Sequence, residues 1–178
     1  MANITDYEKK QRPVKVLQFG EGGFLRGFID WMIKKMNDCG AFDSNVVVVQ
    51  PIKTGLIDKL NAQNGLYTHI IRGSEGSETT LIDVIDSCIN PYDDFSGYLD
   101  LAKNKDLRFI FSNTTEAGIT FDDSDKFDGT LPKSFPAKLT VFLHKRFEEK
   151  LPGFIIIPCE LIDRNGDKLK EAVLKYAE

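Results

Sequence analysis

The sequence has little cysteine, little histidine and no long apolar run, and each shortage removes a class of protein. The three cysteines, Cys39, Cys88 and Cys159, stand far apart, which fits neither a disulfide framework nor a metal-binding spacing. No apolar stretch approaches the ~20 residues of a membrane span, and residues 1–12 lack the apolar core of a signal peptide. We therefore expect a cytoplasmic protein with no membrane segment and no bound metal.

Basic residues are also fewer than acidic ones. The chain has 23 Lys and Arg against 27 Asp and Glu, a formal charge of −4 and no dense basic stripe, which argues against a nucleic-acid surface. Its 178 residues, 42% hydrophobic and 28% charged, fit one globular domain. Neither of the two histidines, His69 and His144, lies at a predicted strand end beside a Ser or Cys, so a nucleophilic triad is unsupported.

The chain is organised around an apolar run that passes through glycines into a helical pattern. Residues 14–19 predict a buried strand, and apolar residues recur at spacings of three and four over residues 25–36. Strand, glycine turn and helix open a dinucleotide-binding sheet, where N–H groups at a helix N-terminus attract a pyrophosphate. We expect Gly20 to make the tight turn and Gly22 to leave room for the phosphates. The predicted cofactor contacts here are Gly20, Glu21, Gly22, Gly23, Phe24 and Leu25.

The glycine pattern departs from the usual fingerprint G-x-G-x-x-G, because Leu25 stands at the position of the third glycine. A lone Gly-x-Gly also occurs in ordinary turns. Residues 16–23 resemble the first motif of methyltransferases as well, although Gln18 replaces the usual acid. A P-loop is excluded, since no Gly-Lys-Ser/Thr follows. A methyltransferase and a non-catalytic dinucleotide-binding module therefore stay open as alternatives.

The second predicted strand, residues 45–50, ends without an acidic residue. Its continuous apolar run is typical of a parallel strand that is covered on both faces. NAD enzymes often place Asp or Glu at this end to bind the ribose hydroxyls. Here Gln50 is the candidate for a hydrogen bond to the ribose, whereas Lys53 is a candidate to neutralise a 2′-phosphate. The residues alone leave the choice between NAD and NADP open.

The later pattern predicts an insertion and further strands and helices. Residues 66–72 and 78–89 predict the two strands of a hairpin-like insertion. We expect Asn90 to cap the next helix and Ser134 to cap a helix that buries Phe147. In the first helix, Arg26 and Asp30 lie four residues apart and are expected to form a weak ion pair on the outer face.

The expected fold is α/β, with a Rossmann-like, open and mostly parallel sheet, helices on both faces and the hairpin-like insertion. In such a sheet, ligands lie beyond the carboxyl ends of the strands. Two further predicted strands, residues 106–113 and 153–158, end in polar segments, although a simple strand–helix loop is the alternative for residues 112–119. Asn113, Thr114 and Pro158 are therefore added to the predicted cofactor contacts.

Four motifs in the order of the chain resemble the mannitol dehydrogenase family. They cover residues 18–26, 65–68, 113–118 and 158–166, and the similarity extends over residues 14–176. The family pattern Gly-x-Gly-x-Phe accounts for the missing third glycine. The resemblance implies NAD as cofactor and interconversion of D-tagaturonate and D-altronate, with other polyol or hexonate dehydrogenases of the family as the alternative.

The resemblance also implies that residues 1–178 form only the NAD-binding domain. Family members are longer, and their helical C-terminal domain carries the lysine thought to act as general base, which is absent from this sequence. An asparagine of the first domain polarises the substrate oxygen, and Asn165 is the candidate; mannitol-type relatives have Asn where this chain has Leu161. The last predicted helix runs to Glu178 without a cap, as expected of an excised domain. The expected partners are a sugar acid substrate and that C-terminal domain.

Overall fold

Seven strands and five α-helices follow one another in the described part of the chain. A computed structural model describes residues 7–114 and 118–178. The strands are β1 (Val14–Phe19), β2 (Asn45–Val49), β3 (Tyr67–Gly73), β4 (Gly76–Ile82), β5 (Ile85–Ile89), β6 (Phe109–Ser112) and β7 (Ile155–Pro158). The helices are α1 (Asp30–Asp38), α2 (Ile57–Ala62), α3 (Phe95–Asp100), α4 (Phe135–Glu148) and α5 (Asn165–Ala177). A π-helical turn, Leu25–Ile29, leads into α1.

Five of these strands form a parallel sheet in the order β5-β2-β1-β6-β7, while β3 and β4 form a separate antiparallel hairpin. This order is that of the first five strands of a Rossmann sheet. The chain adds strands on one side of β1 as far as β5 and then crosses to the other side of β1, where it adds β6 and β7. The predicted fold class is confirmed, including the hairpin-like insertion. None of the helices in the described part of the chain is long and apolar enough to cross a membrane.

Both faces of the sheet are covered, because adjacent side chains of each strand point to opposite sides. Leu17 of β1 packs in a cluster with residues of α3, α4 and α5, such as Tyr98 and Phe142. Val16 packs in a second cluster with Leu25 and Ile33 of the first helical segment, together with residues of α2 and the hairpin. The continuous apolar runs of β1 and β2 reflect this two-sided burial.

Asp30 lies in the core, so the predicted surface ion pair with Arg26 is wrong. Its side chain is fully buried, and Tyr67 of β3 contacts its Oδ2 atom at 2.9 Å. The Arg26 side chain instead donates from Nε to the carbonyl of Glu21 at 2.8 Å. The π-helical turn between these residues is wider than an α-helical turn, so the faces of a regular helical wheel no longer apply.

The predicted strand over residues 78–89 is two strands that belong to different sheets. β4 ends at Ile82, and the chain bends at Asp83, whose buried carboxylate lies 3.6 Å from the Lys34 ammonium. The carbonyl of Val84 then accepts a hydrogen bond from Val46 N at 2.9 Å, and β5 continues as the edge of the parallel sheet. Residues 78–89 have a strand-forming composition throughout, so the sequence pattern does not indicate where β4 ends and β5 begins.

Helix α3 begins later than the sequence pattern predicts. Asn90 starts a turn, in which its Oδ1 accepts a hydrogen bond from Tyr92 N at 3.1 Å. The N-cap is Asp94, whose carboxylate accepts from Gly97 N at 2.7 Å. The prediction of Asn90 as the cap is therefore wrong, because its side chain is already engaged in closing the preceding turn.

Helix α4 has the predicted cap, but one residue of its predicted inward face, Phe147, lies at the surface. Ser134 Oγ accepts a hydrogen bond from Ala137 N at 3.2 Å, which confirms the cap. Phe147 is 79% exposed, and its predicted burial is wrong. The neighbouring Arg146 takes the inward position, since its guanidinium donates to the main-chain carbonyls of Ala102, Asn104, Leu107 and Pro152.

Candidate nucleotide-binding site

A crevice of about 490 Å³ opens at the carboxyl ends of β1, β2 and β6. Four segments form its walls: the turn at residues 20–22, the loop at Pro51 and Ile52, the loop after β6, and residues 133–135 before and at the start of α4. The crevice lies where the strand order reverses, which is where open α/β sheets bind their ligands. Of the residues predicted from the sequence, it brings together Gly20, Glu21, Gly22, Asn113 and Thr114.

The turn after β1 requires glycine at its first position. Gly20 has φ of +117°, a backbone conformation that residues with a side chain rarely adopt. A Cβ there would also lie 3.2 Å from both the carbonyl oxygen of Asn113 and Cδ1 of Leu25. Gly20 N donates to the carbonyl of Val49 at 3.0 Å, so the turn is tied to the end of β2. The predicted tight turn at Gly20 is confirmed.

Gly22 and Gly23, in contrast, have open space around them. A Cβ added at either position would meet no atom within 4 Å, and neither has a positive φ that favours glycine. Nothing within the described protein therefore requires glycine at these two positions. Gly22 lies in the wall of the crevice, and the space beside it is what a close approach of phosphates to the backbone needs.

The residues after the glycines form the wide first turn of the helical segment. Leu25 is fully buried beside Gly20, in the position where the usual fingerprint has its third glycine. Phe24 is partly exposed, and its ring centre lies 5.4 Å from that of Phe28. Arg26 N donates to the carbonyl of Gly22 at 3.2 Å, which leaves earlier N–H groups of the turn for an anion.

The end of β2 holds two buried acceptor groups. Gln50 Nε2 donates to the carbonyls of Ile52 and Lys53 at 3.0 and 3.2 Å, so its amide folds the loop back on the strand. Its Oε1 is buried and has no hydrogen-bond partner within the described residues. Glu21 Oε1 accepts from Leu56 N at 3.2 Å. A contact of Gln50 with a ribose stays a prediction.

Glu160, which was not singled out from the sequence, holds the end of β6 next to the end of β7. Its buried carboxylate accepts from Ser112 Oγ at 3.1 Å and from Thr114 N at 2.9 Å. Asn113 Nδ2 donates to the carbonyl of Cys159 at 2.7 Å. An acidic residue two positions after an apolar strand was the available signal for this role. Thr115 and Glu116 of the predicted polar segment lie outside the described residues.

Asn165 and Pro158 lie at the end of β7, outside the walls of the crevice. The amide nitrogen of Asn165 donates to the carbonyls of Pro158 and Glu160 at 2.8 and 3.1 Å, so it fastens the turn before α5. The roles predicted for Asn165 and Pro158 stay predictions. Burial, followed by the nearby Glu160 carboxylate, raises the pKa of the Cys159 thiol, which favours an unreactive thiol over a thiolate nucleophile.

The lysine in the crevice wall is engaged, and Lys138 and both histidines lie outside that wall. Lys133 lies in its wall, but its ammonium is 3.5 Å from Ser124 Oγ. Lys138 is buried, which lowers its pKa to about 8, and it donates to the carbonyl of Lys133. His144 is exposed on α4, and His69 lies on β3. Among the described residues, none of these groups is placed as an unengaged acid in the crevice.

A second cavity, of about 570 Å³, lies between α3, α4 and α5. Its walls are mainly apolar, with Leu99, Val141 and Val173 among them. It lies on the helices rather than at the carboxyl ends of the strands. The crevice with the glycine turn is therefore the better candidate for a nucleotide.

Comparison with protein families matches residues 14–178 to the mannitol dehydrogenase Rossmann domain. The chain is 47% identical to an altronate oxidoreductase of Bacteroides thetaiotaomicron, over 96% of this chain and 37% of that protein. It is 48% identical to an altronate oxidoreductase of Escherichia coli O7:K1, over 99% of this chain and 38% of that protein. The chain thus spans less than two fifths of the length of these relatives.

Two solved structures have the same fold. The Pseudomonas fluorescens mannitol 2-dehydrogenase, in a ternary complex with NAD and D-mannitol, matches with a TM-score of 0.81 and 21% identity, over 99% of this chain and 38% of that one. A D-sorbitol dehydrogenase in substrate-free form matches with a TM-score of 0.78 and 20% identity, over 92% of this chain and 38% of that one. At this level of identity the similarity shows the fold.

Proposed function

The chain belongs to the mannitol dehydrogenase family, and on that premise we propose that it forms the NAD-binding part of an oxidoreductase that interconverts D-tagaturonate and D-altronate. The altronate oxidoreductases among its relatives support the substrate. The Rossmann order of the sheet supports the cofactor. We also propose a cytoplasmic location, which the three unpaired cysteines support.

The observation that carries the proposal is the open space at Gly22. Gly20 is required by the fold, because its φ is positive and a Cβ would crowd Asn113. Gly22 has neither constraint, yet it lies at the switch point of the sheet in the wall of the crevice. A pyrophosphate bound beside the backbone would explain the glycine at this position, because a side chain there would occupy the space of the phosphates. In this proposal the N–H groups of the turn hold the phosphates, and the adenosine extends toward the loop after β2.

Family membership still leaves the exact substrate as a proposal, since the chain covers only part of its relatives. In a hydride transfer to a ketone, NADH supplies the hydride, and the protein supplies a proton donor and groups that hold the developing oxyanion. We propose that this chain positions the nicotinamide at the ends of β6 and β7. The proton donor then comes from the longer protein, in the part of the relatives that lies beyond this match.

Substitution of Gly22 by Val is expected to lower the affinity for NADH about ten- to a hundredfold, because the side chain occupies the phosphate space. The variant should fold normally, since a Cβ at this position meets no protein atom within 4 Å. The dissociation constant is measured by titrating the fluorescence of NADH with the purified chain. Circular dichroism and a urea unfolding curve report whether the fold is retained.

Gly153→Val is the matched control for this variant. Gly153 also has open space around an added Cβ, and it lies before β7 and away from the crevice. Its substitution should leave the dissociation constant of NADH unchanged. A folded Gly22→Val variant that binds NADH as tightly as the unaltered chain would remove the pyrophosphate from this turn.

A further inference from the structure

The acidic residue that is missing after β2 has a counterpart in the glycine turn. Glu21 leaves the turn after β1 and reaches the loop after β2, where its Oε1 accepts a hydrogen bond from Leu56 N at 3.2 Å. The side chain is largely buried, but it contributes to the wall of the crevice beside Pro51 and Ile52. A carboxylate therefore stands near the end of β2, although it comes from a different segment of the chain.

Gly55 lies against this carboxylate and against the side-chain amide of Gln50. The amide nitrogen of Gln50 donates to two loop carbonyls, those of Ile52 and Lys53. A Cβ at Gly55 would collide with Oε1 of Glu21 and with Oε1 of Gln50, so only glycine lets the two oxygens approach the loop here. The Gln50 oxygen is buried and unpartnered within the described residues. Both oxygens therefore lie against Gly55, and of the two residues Glu21 is the one that also lines the crevice.

A carboxylate in the wall of the crevice favours a ligand that brings hydrogen-bond donors. The adenosine ribose of NAD has two vicinal hydroxyl groups, and each of them can donate a hydrogen bond. The 2′-phosphate of NADP brings acceptors and negative charge, which a buried carboxylate repels because the local dielectric constant is below that of water. Lys53 in the same loop is exposed, and water screens the attraction of an exposed cation for a phosphate.

We propose that Glu21 determines cofactor specificity, by favouring a free adenosine ribose and excluding one that carries a 2′-phosphate. This inference rests on the proposed function, since it requires a dinucleotide in the crevice. It assigns to the second residue of the Gly-x-Gly turn the task that an acid after β2 performs in many dinucleotide-binding sheets. Leu56 N holds the Glu21 carboxylate in place, and Gly55 leaves room for it.

Glu21→Gln tests the proposal, because glutamine keeps an acceptor for Leu56 N and removes the charge. Dissociation constants for NADH and NADPH are measured at equal ionic strength. The unaltered chain should prefer NADH, and in the variant the ratio of the NADPH affinity to the NADH affinity should rise at least about tenfold. Glu75→Gln removes the same charge from the exposed turn between β3 and β4 and should change the ratio less than about twofold. Glu21→Ser serves as a second variant if glutamine prevents folding.

The possible results separate the inference from the function on which it rests. If the unaltered chain binds neither NADH nor NADPH, the proposed function fails. If the chain binds NADH but Glu21→Gln and Glu21→Ser leave the ratio unchanged, Glu21 does not set specificity, and the proposed function stands. A preference of the unaltered chain for NADPH would overturn both the inference and NAD as the proposed cofactor, and it would point to Lys53.

Discussion

Asp30→Asn is expected to make the protein more stable than the unaltered chain at pH 8, with a smaller gain at pH 5. The reason is that buried acceptor oxygens around the Asp30 carboxyl outnumber the hydrogen-bond donors. The Tyr67 hydroxyl lies 2.7 Å from the carbonyl of Arg26 and 2.9 Å from Asp30 Oδ2, but it has one proton for these two oxygens. Asp30 Oδ1 and Gln18 Oε1 are both buried without a partner within the described residues. A neutral Asp30 supplies the missing proton.

The pH dependence follows from the pKa of Asp30. Burial raises this pKa from 3.8 to about 7, although the Tyr67 hydroxyl, the nearby Gln18 amide and the Arg26 guanidinium lower it. A raised pKa in the folded state means that the stabilising contribution is complete below pH 3.8 and is lost as the pH rises to 7. The loss over this range is about 4 kcal/mol, since each pKa unit corresponds to about 1.36 kcal/mol. Asparagine stays neutral and avoids that loss.

Urea unfolding of both proteins at pH 5 and pH 8 measures the difference in the free energy of unfolding. The advantage of Asp30→Asn should grow by about 2–3 kcal/mol between the two pH values. Asp83→Asn is the matched control, because Asp83 is also buried but lies 3.6 Å from the Lys34 ammonium. Removal of the Asp83 charge leaves the Lys34 ammonium without this partner, so Asp83→Asn should destabilise the protein at pH 8. An Asp30→Asn variant that is less stable by the same amount at both pH values would show that Asp30 is ionised in the folded protein.

The parallel sheet could be predicted from the sequence because its strands are buried on both faces. Such strands are continuous apolar runs, and β2 is the clearest example. The conformation at Gly20 was predictable for the same kind of reason, since a strand that turns abruptly into a helix needs a positive φ. The apolar runs and the glycine at the end of the first strand therefore predict both the parallel sheet and the position of the crevice.

Polar groups in the interior escaped those rules. Periodicity assigns charged residues to the surface, yet Asp30 is enclosed by Tyr67 and the π-helical turn, and Arg146 is enclosed by main-chain carbonyls. Glu160 was overlooked because its partners, Ser112 and Thr114, are more than forty residues away in the chain. Hydrogen bonds between distant segments decide these positions, and a pattern of apolar spacings contains no information about them.

The polar groups near the crevice also determine the largest effect that we expect, which is on the rate of catalysis. Reduction of a ketone by NADH requires a proton donor next to the developing alkoxide. The Lys133 ammonium in the crevice wall points to Ser124, and the Glu160 carboxylate, next to the crevice, is occupied by Ser112 and Thr114. Asn165 uses its amide nitrogen to hold the turn before α5. Among the described residues, the crevice thus offers a place for the cofactor without an available acid.

The 178-residue chain should therefore bind NADH but oxidise it with D-tagaturonate at least about 10²–10⁴-fold more slowly than a full-length relative, because positioned acid–base catalysis typically contributes that factor. The measurement is the decrease of NADH absorbance with saturating tagaturonate, for both proteins at equal concentration of binding sites. Fluorescence titration of NADH on the same samples establishes that the slow chain is folded and occupied by cofactor. Turnover by the short chain at a rate close to that of the relative would contradict the proposal and would place the proton donor within residues 1–178. Binding of NADH without turnover supports a division of labour, in which this chain holds the nicotinamide and another part of the enzyme supplies the proton.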